Sequence, residues 1–167
     1  MKNFDFISRL AETIPDFAQL HAYCDKAEIF QKAFPEESAS NARKALEWLV
    51  KNHLYMANVM LDKHETLNQM LKRPQIDAFI DEDWEFEQYM RTVKKIGNYA
   101  SHTGAQEVKP NDAFICLRAL YYVVSGFLYR WRAIQNIVAF DATLVPNGFT
   151  GIHIADNSEP TVSVEVA

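Results

Sequence analysis

Glycine, proline and cysteine are scarce: 5, 6 and 2 of 167 residues. So few turn formers argue against many short strands and favour long helices. Cys24 and Cys116 lie far apart in apolar stretches, so two buried, reduced thiols of a cytoplasmic chain are expected rather than a disulfide framework. Positive charge is also short. Lys and Arg number 17 against 22 Asp and Glu, a net charge of −5. That balance excludes a broadly basic nucleic-acid binder and leaves only local contacts with DNA or RNA. No uninterrupted apolar run approaches the ~20 residues that span a bilayer; the longest, Ala119 to Tyr129, is broken by Ser125 and Gly126 and bracketed by Arg118 and Arg130. Met1-Lys2-Asn3-Phe4-Asp5 runs straight into an amphipathic pattern, so no signal peptide is expected. No phosphate-cradling Gly loop and no nucleophile elbow occur, which sets aside ATP hydrolysis, dinucleotide binding and serine hydrolysis. No internal repeat or low-complexity segment is present.

Helical periodicity fills the space these absences leave. The apolar fraction of 49% suits one domain with one core. Asn3 is placed to cap a first helix carrying Phe4, Ile7, Leu10 and Ala11. Pro15 opens a second helix, expected to run to Phe34, where Pro35 ends it. Ser38 or Ser40 caps a third, with Ala42, Ala45, Leu46, Leu49, Val50, His53 and Met56 inward and an end near Leu61. A short helix follows over His64 to Leu71, and Pro74 starts another. The stretch Asp77 to Glu87 holds six acids and no base. Asp81, Glu82 and Asp83 suit a helix start, where the macrodipole favours negative charge; without a Gly the stretch is a poor divalent-ion loop. A helix from Trp84 to His102 ends near Gly104. The longest helix is expected from Pro110 to Phe140, apolar on nearly every side and interrupted by Arg118, Arg130 and Arg132, so it is either buried centrally or covered by a partner. From Pro146 the pattern loosens, and Thr161 to Val166 alternates as a strand does, with Ile152 to Ile154 as its pairing candidate. A lone hairpin is marginal in water, so residues 146–167 read as a linker or the first strands of a following domain, and 1–145 as the helical domain.

One segment is equipped for chemistry. Placed on a helix with Arg91 at zero, Lys95 falls at about 40°, Asn98 at about 340° and His102 at about 20°. They make one polar stripe opposite Met90, Val93, Ile96, Gly97 and Ala100. A His one turn from an Asn, with cations behind, has the parts for phosphodiester cleavage: general acid or base, and charge stabilisation. The plainer reading is a solvated helix face, and spacing alone favours it. Gly97 costs roughly 1 kcal/mol inside a helix relative to Ala, which points to the close approach of another helix. Metal sets are poorer. His64-Glu65 lacks the second His of a zinc protease helix, and His21 and Cys24 share a face without further Cys or His nearby. No metal and no cofactor are expected.

Three stretches together carry a resemblance: Ala42-Arg43-x-x-x-Glu47-x-Leu49-Val50, then Thr66-Leu67, then Ile96-Gly97-Asn98-x-x-x-His102. Their order resembles the helical domain of unknown function at the N-terminus of many prokaryotic type I restriction enzyme R subunits, which is similar to the HEPN superfamily. Asn3-Phe4 and Val145-Pro146 fit the same context, and the resemblance covers residues 3 to 146. It implies an all-α, HEPN-like bundle with a long central C-terminal helix and a short extended tail. It also implies an accessory role in DNA restriction and phage defence, without catalysis of its own. Arg91, Lys94, Lys95, Asn98 and His102 would be the partner or nucleic-acid contacts. The implied partners are the nuclease and motor domains and other subunits of a restriction complex, DNA or RNA, and a second copy in a homodimer, with no membrane. Active HEPN ribonucleases place an Arg shortly before the His, often followed directly by Asn. Here Gly97 precedes Asn98, so a metal-independent ribonuclease using His102, Asn98 and Lys95 is the rival expectation. A stand-alone dimerising helical module is the third.

Overall fold

The computed structural model describes residues 1–101 and 107–147. Seven α-helices occur among them: α1 Asp5–Ala11, α2 Phe17–Ile29, α3 Pro35–Met56, α4 Leu67–Leu71, α5 Pro74–Ile80, α6 Trp84–Ser101 and α7 Pro110–Arg130, followed by a 3-10 turn, Ala142–Leu144. No strand occurs among the described residues. The all-α expectation holds. The proposed tail strands and the expected stop at Gly104 lie outside the described residues, as does His102.

Helix α3 packs against α2, α6 and α7 and touches α4 and α5. Its apolar stripe, with Ala42, Ala45, Leu46, Leu49, Val50 and Leu54 buried, supplies the middle of the core. Fully burying a side chain such as Leu46 or Leu49 contributes roughly 1.5–3 kcal/mol. Helix α6 runs antiparallel to α3, since Gly97 near its end meets Ala39 and Arg43 near the start of α3. It is also antiparallel to α7, since Phe86 near its start lies against Gly126 near the end of α7. Cys24 and Cys116 are buried free thiols, as expected. Burial holds Cys24 well above the usual thiol range and pushes Cys116 up to about 12.

Helix ends differ from the periodicity in instructive ways. Asn3 does not cap α1, whose N-cap is Phe4 without a side-chain bond. The Asn3 amide instead donates to Glu28 Oε2 (2.8 Å) and the Asp141 carbonyl (2.9 Å), and its Oδ1 accepts the Asp141 N–H (2.8 Å). Helix α2 begins at Phe17 rather than Pro15 and stops at Ile29, short of Phe34. Helix α3 starts on Pro35 itself, a residue whose missing N–H is harmless in the first turn. Ser38, expected as a cap, is buried and donates to the Ala27 carbonyl across α2 (2.6 Å). The end of α3 falls at Met56, not Leu61, through Asn58 in the left-handed region (φ 62°). The N–H groups of Asn58 and Val59 reach back to the Tyr55 and Leu54 carbonyls, a Schellman closure. Helix α4 is shorter than expected, starting at Leu67 behind a Thr66–Gln69 capping box. Of the acidic trio, Asp83 takes the expected role and accepts the Phe86 N–H at the start of α6 (3.0 Å).

The largest departure is α7. It ends at Arg130, not Phe140, and at 21 residues it is not the longest helix, since α3 has 22. Arg132 stands at φ 63°, and the N–H groups of Arg132 and Ala133 close onto Tyr129 and Leu128, a second Schellman closure. The chain then returns along α7: Tyr121 donates to the Val138 carbonyl (2.8 Å) and the Phe140 N–H donates to Tyr122 Oη (3.0 Å). By length and composition α7 is apolar enough to cross a membrane, a property that counting uninterrupted runs understated, and 67% of its most apolar window is buried inside the bundle. The arginines that interrupt it are engaged. Arg118 lies over the Tyr122 ring (5.1 Å), and Arg130 lies over the Phe86 ring (4.2 Å) and pairs with Asp83 (2.7 Å).

Candidate functional site

The polar stripe of α6 resolves into two separately engaged groups. Arg91 is exposed and pairs with Glu87 one turn back (2.8 Å), and Lys94 donates to Asn68 Oδ1 of α4 (2.9 Å). Both line a cleft of about 190 Å³ between α4, α5 and α6 that also takes in Lys72 and Asp77. The Lys95 side chain is exposed and makes no hydrogen bond or ion pair with any described residue.

Asn98 faces α3. Its Oδ1 accepts a hydrogen bond from Arg43 Nε at 2.9 Å, while Arg43 Nη1 stands 3.8 Å from Glu47 Oε1. Arg43, Glu47 and Asn98 are each half-buried. The geometry depends on Gly97, where an added Cβ would stand 2.6 Å from Arg43 Cβ and 3.3 Å from the Ala39 carbonyl. The missing side chain thus lets α3 and α6 cross closely enough for Arg43 to reach Asn98. This is the close approach expected of Gly97. Wheel arithmetic missed Arg43 because it treats one helix at a time. The available signal was a small residue on each partner, Ala39 and Gly97, marking the crossing.

A planar guanidinium bonded through Nε keeps donors free for an oxyanion, and its fork suits phosphate better than an ammonium does. Arg43 and Asn98 therefore put an anion-binding cation beside an amide at this crossing, while the expected His102 lies outside the described residues. Glu47 beside Arg43 moderates the positive charge. Lys95 was the cation that the sequence offered for this set, and the structure adds Arg43, bonded directly to Asn98. No family model matches the chain, and neither a curated protein nor a solved structure was found similar to it.

Two other polar clusters lie outside this crossing. Glu65, next to His64, forms a bidentate pair with Arg73, with Nε–Oε2 at 2.7 Å and Nη2–Oε1 at 2.5 Å. That hydrogen bonding holds the Glu65 carboxyl below its usual range. It secures the turn between α4 and α5, a structural task. His53, on α3, lies against Phe79 (ring centroids 3.9 Å) and accepts the Trp131 indole N–H at Nδ1 (3.1 Å). Burial lowers its pKa. Both belong to packing rather than to an open site.

Proposed function

We propose that this chain is a HEPN-like helical accessory domain of a type I restriction R subunit, cytoplasmic and non-catalytic, that serves assembly or nucleic-acid contacts. The observation that carries this reading is the Arg43–Asn98 bond. Two of the three motifs behind the resemblance are 55 residues apart in sequence at these positions, and Arg43, Glu47, Gly97 and Asn98 meet at one helix crossing. That convergence supports the resemblance. On this reading Arg91, Lys94, Lys95 and Asn98 are the contact residues among those described, with Lys95 carrying the least encumbered charge, and His102 is the fifth that the sequence offers.

The same bond favours a second reading. Arg43 supplies beside Asn98 the guanidinium that a ribonuclease of the HEPN type has in sequence and that Gly97 denies here. RNA cleavage in EDTA separates the two. The accessory reading expects none from the wild-type chain; cleavage abolished by His102→Ala and by Arg43→Ala would replace it with the ribonuclease. It also expects nuclease and motor sequence encoded in the same or an adjacent reading frame, and a genome lacking both would overturn it.

A further inference from the structure

The geometry points to a divalent transition-metal site between α1 and α2, made by Asp5, His21 and Asp25. One ligand atom from each residue, an imidazole nitrogen and two carboxylate oxygens, lies within 4.8 Å of the others. His21 and Asp25 stand one turn apart on α2, and Asp5 enters from the first turn of α1. All three side chains are half-buried.

A second, independent observation concerns the imidazole. His21 Nε2 is buried and has no hydrogen-bond partner. An orphaned buried polar atom is disfavoured, and a metal ion satisfies a bare ring nitrogen. The cluster already behaves as a cation site. Lys2 Nζ lies 3.2 Å from Asp25 Oδ1, and the Lys2 backbone N–H donates to Asp5 Oδ2 at 2.7 Å. The ammonium pairs with Asp25, and no hydrogen bond joins it to His21 Nε2. A divalent ion would engage all three groups and release the Lys2 side chain to solvent.

The donor set selects the metal. One imidazole with two carboxylates suits Zn²⁺, Mn²⁺ or Fe²⁺, whereas Ca²⁺ and Mg²⁺ favour oxygen alone. Three protein ligands leave coordination positions for water or a small anion. Asp5 and Lys2 also line a cleft of about 360 Å³ that reaches Tyr121, Ser125 and Asn136. The sequence concealed the site because Asp5 lies 16 residues before His21, on another helix.

The test is titration calorimetry of the EDTA-stripped full chain with Zn²⁺ and Mn²⁺, alongside Co²⁺ absorption spectra. One ion per chain is expected, weakened at least tenfold by His21→Ala and by Asp25→Asn. Lys2→Gln should tighten binding, since it removes the competing ammonium. Asp25→Asn is nearly isosteric and keeps the test readable if circular dichroism shows that His21→Ala loses helicity. Absence of binding by the wild-type chain, binding unchanged in both variants, or a thiolate charge-transfer band reporting Cys24 or Cys116 would each overturn the assignment.

Discussion

A methyl group at position 97 has nowhere to go. Its nearest neighbours would be Arg43 Cβ at 2.6 Å and Cγ at 3.2 Å, with the Ala39 carbonyl oxygen at 3.3 Å, so the backbone of α3 must move as well as a side chain. Gly97→Ala would gain roughly 1 kcal/mol of helix propensity, yet overpacking typically costs 1–3 kcal/mol. The net expectation is a loss of about 1 kcal/mol, or some 2–4 °C in Tm for a chain of this size, read by thermal unfolding. Separating α3 from α6 also breaks the Arg43–Asn98 bond, so the variant should lose whatever this crossing contributes to ligand contact. A variant as stable as wild type would mean that the helices are not held this closely. Asn98 was legible from periodicity because a residue's own helix fixes its face. Arg43 was not, because the register between two helices is set by side-chain volumes at their crossing.

At the level of elements, the apolar spacing of α7 continues through Ile134, Ile137 and Val138 without a Gly or Pro to stop it, so the sequence reads as one long helix. The stop comes from Arg132, a residue type that gives no warning of a left-handed conformation. The Asn58 stop of α3 was better signposted, since Asn is a known occupant of that position. Existence and type of the helices were legible because burial needs a 3.6-residue stripe; their ends were not, because they rest on contacts from elsewhere. One such contact is His53, which receives the Trp131 indole N–H just beyond the end of α7. Only the neutral ring can accept there. Burial lowers the His53 pKa below its ordinary 6.5, so in the window between the two values the unfolded chain binds more protons than the folded one. The contribution of His53 is therefore complete above 6.5 and is lost as pH falls through the lowered folded value. Urea unfolding at about pH 7.5 and about pH 5.5 should show the advantage of wild type over His53→Gln shrinking in acid. An advantage that grew in acid would contradict the neutral, acceptor form.

For the whole molecule, charge limits what any nucleic-acid contact can be. A chain of net charge −5 carries no excess of cations to lay along a duplex. On the proposed face, the Arg91 guanidinium is shared with Glu87 and the Lys94 ammonium with Asn68, leaving Lys95 unengaged among the described residues. If all three side chains turn to phosphates, they release about three counterions' worth of charge, and log Kobs falls with log[salt] at a slope no steeper than about −3. Fluorescence anisotropy on a short duplex across a salt series measures that slope directly. Lys95→Ala should make it shallower by about one unit, with little effect on stability because the side chain is exposed. Arg91→Ala should change it less, since removing the guanidinium also frees Glu87 to repel the phosphates. A slope near −6, or one indifferent to Lys95, would place the contact on another part of the protein and leave the α6 face to bind a protein partner.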